Sequence, residues 1–390
     1  MFRRVSTYAL VAAFACATTP SFACTNLALT AKDGTTVRAR TMEFADLLHS
    51  SVSVVPAGAS MHGTLPDGGE GIAYTTKYNM LGANALGMDI ILDGMNDQGL
   101  SIGLLYFPGF AEYAKATPEN AGRSLAPHEF GNWVLGSFAN IDEVKAGLGN
   151  VAIVPTPAPV LDQVQPLHFI VSDKSGKSIV IEPIGGELKV YDAPLGVMTN
   201  APGYDWHMIN LRNFVNLSVT DVPPIDLDGV KLAQIGQGAG MHGLPGDFTP
   251  PSRFVRAVVF SQAEFPAATA EEAVLKGFHI MNQFDIPHGT VREGTGKEPL
   301  AELTQWTTVS DMNNLRFYFK TYGNQNIHMV DLRKAFAAAS GEIRVIKMGT
   351  EQPIADDSTT FMSARSRSPV TTPWGGSASQ PFLGVFCVTW

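Results

Sequence analysis

Residues 24–44 read as a β-hairpin. Cys24 to Thr30 and Thr36 to Phe44 have strand composition, and Asp33-Gly34 between them is a preferred dipeptide for a tight hairpin loop. With Asp33-Gly34 as a two-residue loop, Cys24 pairs with Glu43. A second hairpin is expected from Met88–Leu92 and Leu100–Phe107 around the turn 93–99, and a meander from the runs 167–172, 178–182, 187–191 and 196–199. Three more strands are expected across 304–332, with turns at 311–314 and 323–326. Helical patterns fall at 127–138, 141–148, 204–215 (with Asp205 as N-cap), 250–263 and 267–283. Strands joined by short turns build antiparallel sheets, and no linker divides the chain. The expectation is one α+β domain over 24–350, followed by an irregular Ser/Thr/Pro/Gly-rich extension over 351–390.

The residues before the hairpin have another character. Arg3 and Arg4 precede a largely apolar stretch, Tyr8 to Ala17, and Ser21-Phe22-Ala23 puts small residues where a signal peptidase reads. Residues 1–23 are therefore expected to be a removed signal peptide, with the protein exported to a periplasm or secreted. No later run approaches the roughly 18 apolar residues of a membrane span. Removal leaves Cys24 first. Of the three cysteines, Cys16 lies in the leader, and Cys24 and Cys387 remain. They could pair as a disulfide. Lipidation of Cys24 is disfavoured, because Ser21 stands where a lipoprotein signal usually has Leu and a strand follows at once. A free terminal cysteine at a sheet edge is the preferred reading.

Composition removes other classes. Lys+Arg number 27 against 36 Asp+Glu, a formal charge of −9 with no basic block, so nucleic acid and anionic membrane are poor partners. The nine histidines show no metal-ligand spacing and there is no CxxC, so no metal site is expected, and His168 and His207 read as structural. Gly236-Gln237-Gly238-Ala239-Gly240 lacks the preceding strand and the lysine of a phosphate cradle, and no GxSxG elbow occurs.

Cys24 can carry chemistry unaided. Its thiol is a nucleophile, and a free α-amine on the same residue, with a reference pKa of about 7.7–8.0, can move a proton near neutral pH. A nearby cation enlarges the thiolate fraction. Arg40 is placed for this by the hairpin, and Glu43 could hold the amine or the arginine. Arg253 adds a second cation in the first turn of its helix, against the dipole. Alternation puts Arg40 and Glu43 on opposite faces, so both reach Cys24 only if the strand bends or ends between them.

These residues, with Cys24-Thr25-Asn26-Leu27-Ala28-Leu29, Asp93-Gly94-Met95-Asn96, Thr199-Asn200-Ala201-Pro202, Asp205-Trp206-His207 and the run 243–250 with Ser252-Arg253-Phe254, resemble the choloylglycine hydrolase family. That family comprises bile salt hydrolases and penicillin V acylases, and the resemblance covers roughly 24–335. It implies a four-layer αββα sandwich of two antiparallel sheets, the Ntn-hydrolase fold. It further implies Cys24 as nucleophile, Arg40 and Arg253 as electrostatic supports, an oxyanion hole of the Asn200 side-chain amide and the Tyr106 N–H, no cofactor, and often a tetramer. Glu43 departs from the family's usual Asp. Tyr106 stands where bile salt hydrolases usually carry Asn and penicillin V acylases Tyr. The expected function is an exported amidase acting on a small N-acyl amide, penicillin V-like by Tyr106, with bile salts or N-acyl homoserine lactones as alternatives. The rival from another class is an exported binding protein with a Cys24–Cys387 disulfide.

Overall fold

The hairpin forms with the expected strands, β1 (Cys24–Thr30) and β2 (Thr36–Phe44), in a computed structural model that describes residues 23–294 and 299–360. Its register differs from the expectation by one residue. Ala31 donates to the Thr35 carbonyl (2.8 Å), Gly34 takes a φ of 85°, and the Asp33 carboxylate accepts from the Thr35 N–H (2.9 Å). The loop is therefore Lys32-Asp33-Gly34, a three-residue turn closed by a left-handed glycine. Cys24 consequently faces Met42 rather than Glu43.

That slip decides which side chains share a face. Cys24, Met42 and Arg40 point one way, and Thr25, Thr41 and Glu43 the other. The first face meets a second sheet and the other meets helices.

The first sheet has five antiparallel strands, in the order β1, β2, Leu303–Asp311, Arg316–Thr321 and Asn324–Asp331. The second has eight, in the order Glu187–Asp192, Ser178–Ile184, Leu167–Asp173, Leu100–Tyr106, Asp93–Asn96, Met80–Ala83, Ser51–Val55 and Arg344–Lys347. Helices α1 (Phe130–Ser137) and α2 (Ile141–Gly147) cover the eight-stranded sheet. After α3 (Tyr204–Asn210), helices α4 (Pro250–Ala263) and α5 (Ala270–Met281) cover the five-stranded one. Apolar side chains fill the layers, including Leu27, Val37, Ala39 and Val309 in the first sheet, and Leu104 and Phe169 of the second sheet with Phe130 and Val134 of α1. This is the αββα sandwich.

Three local expectations are corrected. Met88–Leu92 is not a strand; the partner of Leu100–Tyr106 is Asp93–Asn96. Asn132 of α1 explains this, because its side chain accepts from the Ile91 N–H and donates to the Asp89 carbonyl, taking those backbone groups from any ladder. Gly196–Thr199 makes only one bridge, Met198 to Asn26, which lays the next two residues beside the head of β1. Gly203 rather than Asp205 caps α3, and the Tyr204 N–H goes to the Glu182 carboxylate (2.9 Å). Residues 351–360 carry no helix or strand. Residues 1–22, which hold most of the expected signal peptide, and residues 361–390, with Cys387, lie outside the described residues.

Candidate active site

Cys24 opens β1 with a free thiol that is 2% exposed. Its sulfur lies 3.6 Å from Arg40 Nη2 and 3.9 Å from Met42 Sδ, and its backbone nitrogen donates to Asn200 Oδ1 (2.9 Å). Ala23 is still attached, and its carbonyl accepts from the Glu43 N–H (3.1 Å). Burial pushes the thiol above its ordinary pKa; Arg40 draws it back, and Glu43 adds a smaller upward push. A protonated thiol needs a base. Neither side-chain neighbour of the sulfur, Arg40 or Met42, is one.

Arg40 is fixed from the opposite sheet. Nη1 donates to the Leu92 carbonyl (2.6 Å) and Nη2 to that of Leu104 (2.5 Å), while the guanidinium lies 5.4 Å from the Trp306 ring centroid. Beside it, Arg38 pairs with Asp93 (2.6 Å), and Asp93 also lies 3.7 Å from Arg40 and accepts from Thr308 Oγ1 (2.6 Å). Two buried arginines against one carboxylate keep net positive charge beside the sulfur, with backbone carbonyls completing their solvation. Arg38 and the role of Asp93 were missed in the sequence. The available signal was two arginines two apart on one face of a strand otherwise built for burial.

Asn200 joins the remaining parts. Its Oδ1 accepts from the Cys24 nitrogen and from Arg253 Nη2 (2.6 Å), and its Nδ2 donates to the Tyr106 carbonyl (2.8 Å). Arg253 reaches the site from α4, whose start at Pro250-Pro251 suits the first turn. It does not touch the sulfur. Nη1 binds the Cys24 carbonyl and Thr25 Oγ1 (2.9 Å), and Nε binds the Phe248 carbonyl (2.8 Å). Arg253 therefore holds the cysteine backbone and orients the Asn200 amide. Arg253→Ala is expected to lower kcat about tenfold or more, roughly 1.4 kcal/mol upward. An unchanged kcat with a lowered Tm would leave it only a structural role.

Glu43 lies on the Arg253 side of the hairpin, as alternation requires. Opposite it, the neighbouring strand bulges between Thr304 and Trp306, and Thr304 donates to Glu43 Oε1 (3.0 Å). Glu43 meets the cysteine through its backbone N–H and its field. Burial pushes its carboxyl up to about 8 and that of nearby Glu302, which sequence reasoning overlooked, up to about 7; Arg253 opposes both. A carboxyl whose folded pKa exceeds its unfolded value of about 4.3 contributes stability that is full at low pH and is lost as pH rises through the folded pKa. Glu302→Gln is therefore expected to remove part of the stability loss between pH 5 and pH 8, by roughly 1–3 kcal/mol in urea titrations. Parallel pH profiles for variant and parent would contradict this.

The Cys24 face opens into a cleft lined mainly by apolar side chains, among them Leu48, Leu86, Met88, Ile90, Leu104 and Leu167. Tyr106 and His128 also border it. Such a cleft accepts a hydrophobic acyl group with its carbonyl over the sulfur. Among the described residues no cluster of three or more metal-ligating side chains occurs, and no helix is long and apolar enough to cross a membrane.

Two antiparallel sheets between helical layers, with a cysteine heading the first strand, define the Ntn-hydrolase class of fold. The family model for linear amide C–N hydrolases of the choloylglycine hydrolase family matches residues 24–340. A bile salt hydrolase/transferase of Clostridium perfringens is 35% identical over 314 residues, 80% of this chain and 93% of that protein. A penicillin V acylase of Pectobacterium atrosepticum is 27% identical over 336 residues, covering 81% and 82%. The crystal structure of a conjugated bile acid hydrolase from Clostridium perfringens superposes with a TM-score of 0.76 at 33% identity, covering 85% of this chain and 99% of that one. The chain belongs to the choloylglycine hydrolase family and is an amide C–N hydrolase.

Proposed function

We propose that the mature protein begins at Cys24 and hydrolyses the amide of a conjugated bile acid or a related N-acyl substrate with a bulky apolar acyl group. The observation that carries this reading is the Cys24 sulfur beside Arg40 in an apolar cleft, with the cysteine nitrogen bound to Asn200. After removal of the leader, the α-amine takes the thiol proton and Arg40 steadies the thiolate. The sulfur attacks the carbonyl. One Asn200 N–H is held by the Tyr106 carbonyl; the second is assigned to the oxyanion, together with the Tyr106 N–H. The ammonium protonates the leaving nitrogen, and water then cleaves the thioester.

Identity is higher to the bile salt hydrolase than to the penicillin V acylase, 35% against 27%, which favours bile salts over the reading drawn from Tyr106 alone. Tyr106 keeps penicillin V as the second reading. Export follows from the Ser21-Phe22-Ala23 cleavage pattern, which supplies the free cysteine the mechanism needs. A homo-oligomer, tetrameric by family resemblance, belongs to the same proposal, and light scattering measures it. A release assay over glycocholate, taurocholate, penicillin V, fatty-acyl amides and N-acyl homoserine lactones tests the substrate. The expected ranking puts the conjugated bile acids first; preferential release from penicillin V would establish the second reading, and no release from any of them would overturn both.

A further inference from the structure

We propose that His207 is a positioning residue for the hydrolysis: its Nε2–H fixes the Asn200 carbonyl while its ring rests on Phe254, so that Asn200 and Arg253 are held as one unit. The inference rests on the proposed use of Asn200 at Cys24. His207 Nε2 lies 2.9 Å from the Asn200 carbonyl, and the ring stacks on Phe254, the neighbour of Arg253, at 4.6 Å and 11°. A carbonyl only accepts, so the proton sits on Nε2. Nδ1 is buried and, among the described residues, has no partner. The bond to Asn200 is thus the imidazole's one well-formed hydrogen bond, with the Pro202 backbone a weaker polar neighbour of the ring. Burial also pushes His207 down to about 4, keeping it neutral with its one N–H spent on Asn200.

The preceding carbonyl is held in the same way. His168 Nε2 lies 3.0 Å from the Thr199 carbonyl, and its ring stacks on Phe107, the neighbour of Tyr106, at 4.3 Å and 7°. Its Nδ1 faces Glu182, which also receives the first N–H of α3, the helix carrying His207. Two successive carbonyls are therefore tied to the segments bearing Tyr106 and Arg253, two of the three groups the Asn200 side chain bonds, the third being the Cys24 nitrogen. A satisfied core histidine would not require this alignment.

His207→Phe keeps the stack and removes the donor, while His207→Gln can restore an N–H to Asn200. With glycocholate as substrate, His207→Phe is expected to lower kcat roughly 10- to 100-fold with KM within about twofold. His207→Gln is expected to recover most of that rate. Crystal structures of both variants read the same point without substrate: the Asn200 Oδ1 to Cys24 nitrogen contact is lost in Phe and kept in Gln. If Phe does not fold, His207→Leu replaces it. Parental kcat in the donorless variant, a Gln variant as slow as Phe, or an intact Asn200–Cys24 contact without the donor would overturn the proposal. A parent protein that leaves glycocholate intact counts against the substrate reading, and the crystal comparison still decides the role of His207.

Discussion

Protein that keeps one residue ahead of Cys24 is expected to fold with an unchanged Tm and to hydrolyse amides more than about 10³-fold slower than the mature form. The structure supplies the reason. With Ala23 attached, the Cys24 nitrogen is an amide that already donates to Asn200, in a site otherwise fully assembled. An amide nitrogen accepts no proton, so the buried thiol, held above its ordinary pKa, has no base. Cys24→Ala is expected to lose the same activity, because it removes the proposed nucleophile. Near-native turnover by the extended protein, measured with intact mass on the same sample, would place the base elsewhere.

The second large effect is at Asn200. Asn200→Ala is expected to lower kcat on the order of 10²–10³-fold with little change in KM, because the donor is used mainly once charge develops on the substrate oxygen. Asn200→Asp separates the two ends of the side chain. A carboxylate can still accept from the Cys24 nitrogen and Arg253, but it offers nothing to the Tyr106 carbonyl or to an oxyanion. Slow turnover in both variants assigns the effect to Nδ2. An aspartate variant close to the parent would instead assign Asn200 to holding Cys24 and Arg253.

Local signals placed the first hairpin, α4 and the late strands, because their patterns and turn residues agree with the final fold. They misjudged the hairpin loop by one residue, since Asp33-Gly34 fits both a two-residue turn and the end of a three-residue one. Strands Ser51–Val55 and Met80–Ala83 are short, five and four residues, and are held between neighbours in the eight-stranded sheet. Of the site, Cys24, Arg40 and Glu43 were legible from the hairpin. Arg253 stood out as a cation in the first turn of its helix, but Asn200 and Tyr106 gained site roles only through motif resemblance, since 53 residues or more part each of the three from the next and packing alone unites them. Asp93 and Glu302 act through burial beside arginines, which a linear pattern does not record.

The central claim is that the thiol of an N-terminal Cys24 carries the acyl group. Acid quench of the mature enzyme during turnover of a released substrate, followed by intact and peptide mass analysis, tests it most directly. The account predicts an N-terminus at Cys24 and a hydroxylamine-sensitive acyl increment on the peptide that begins there. Full turnover by protein with residues ahead of Cys24, or an acyl increment on any other residue, would contradict it.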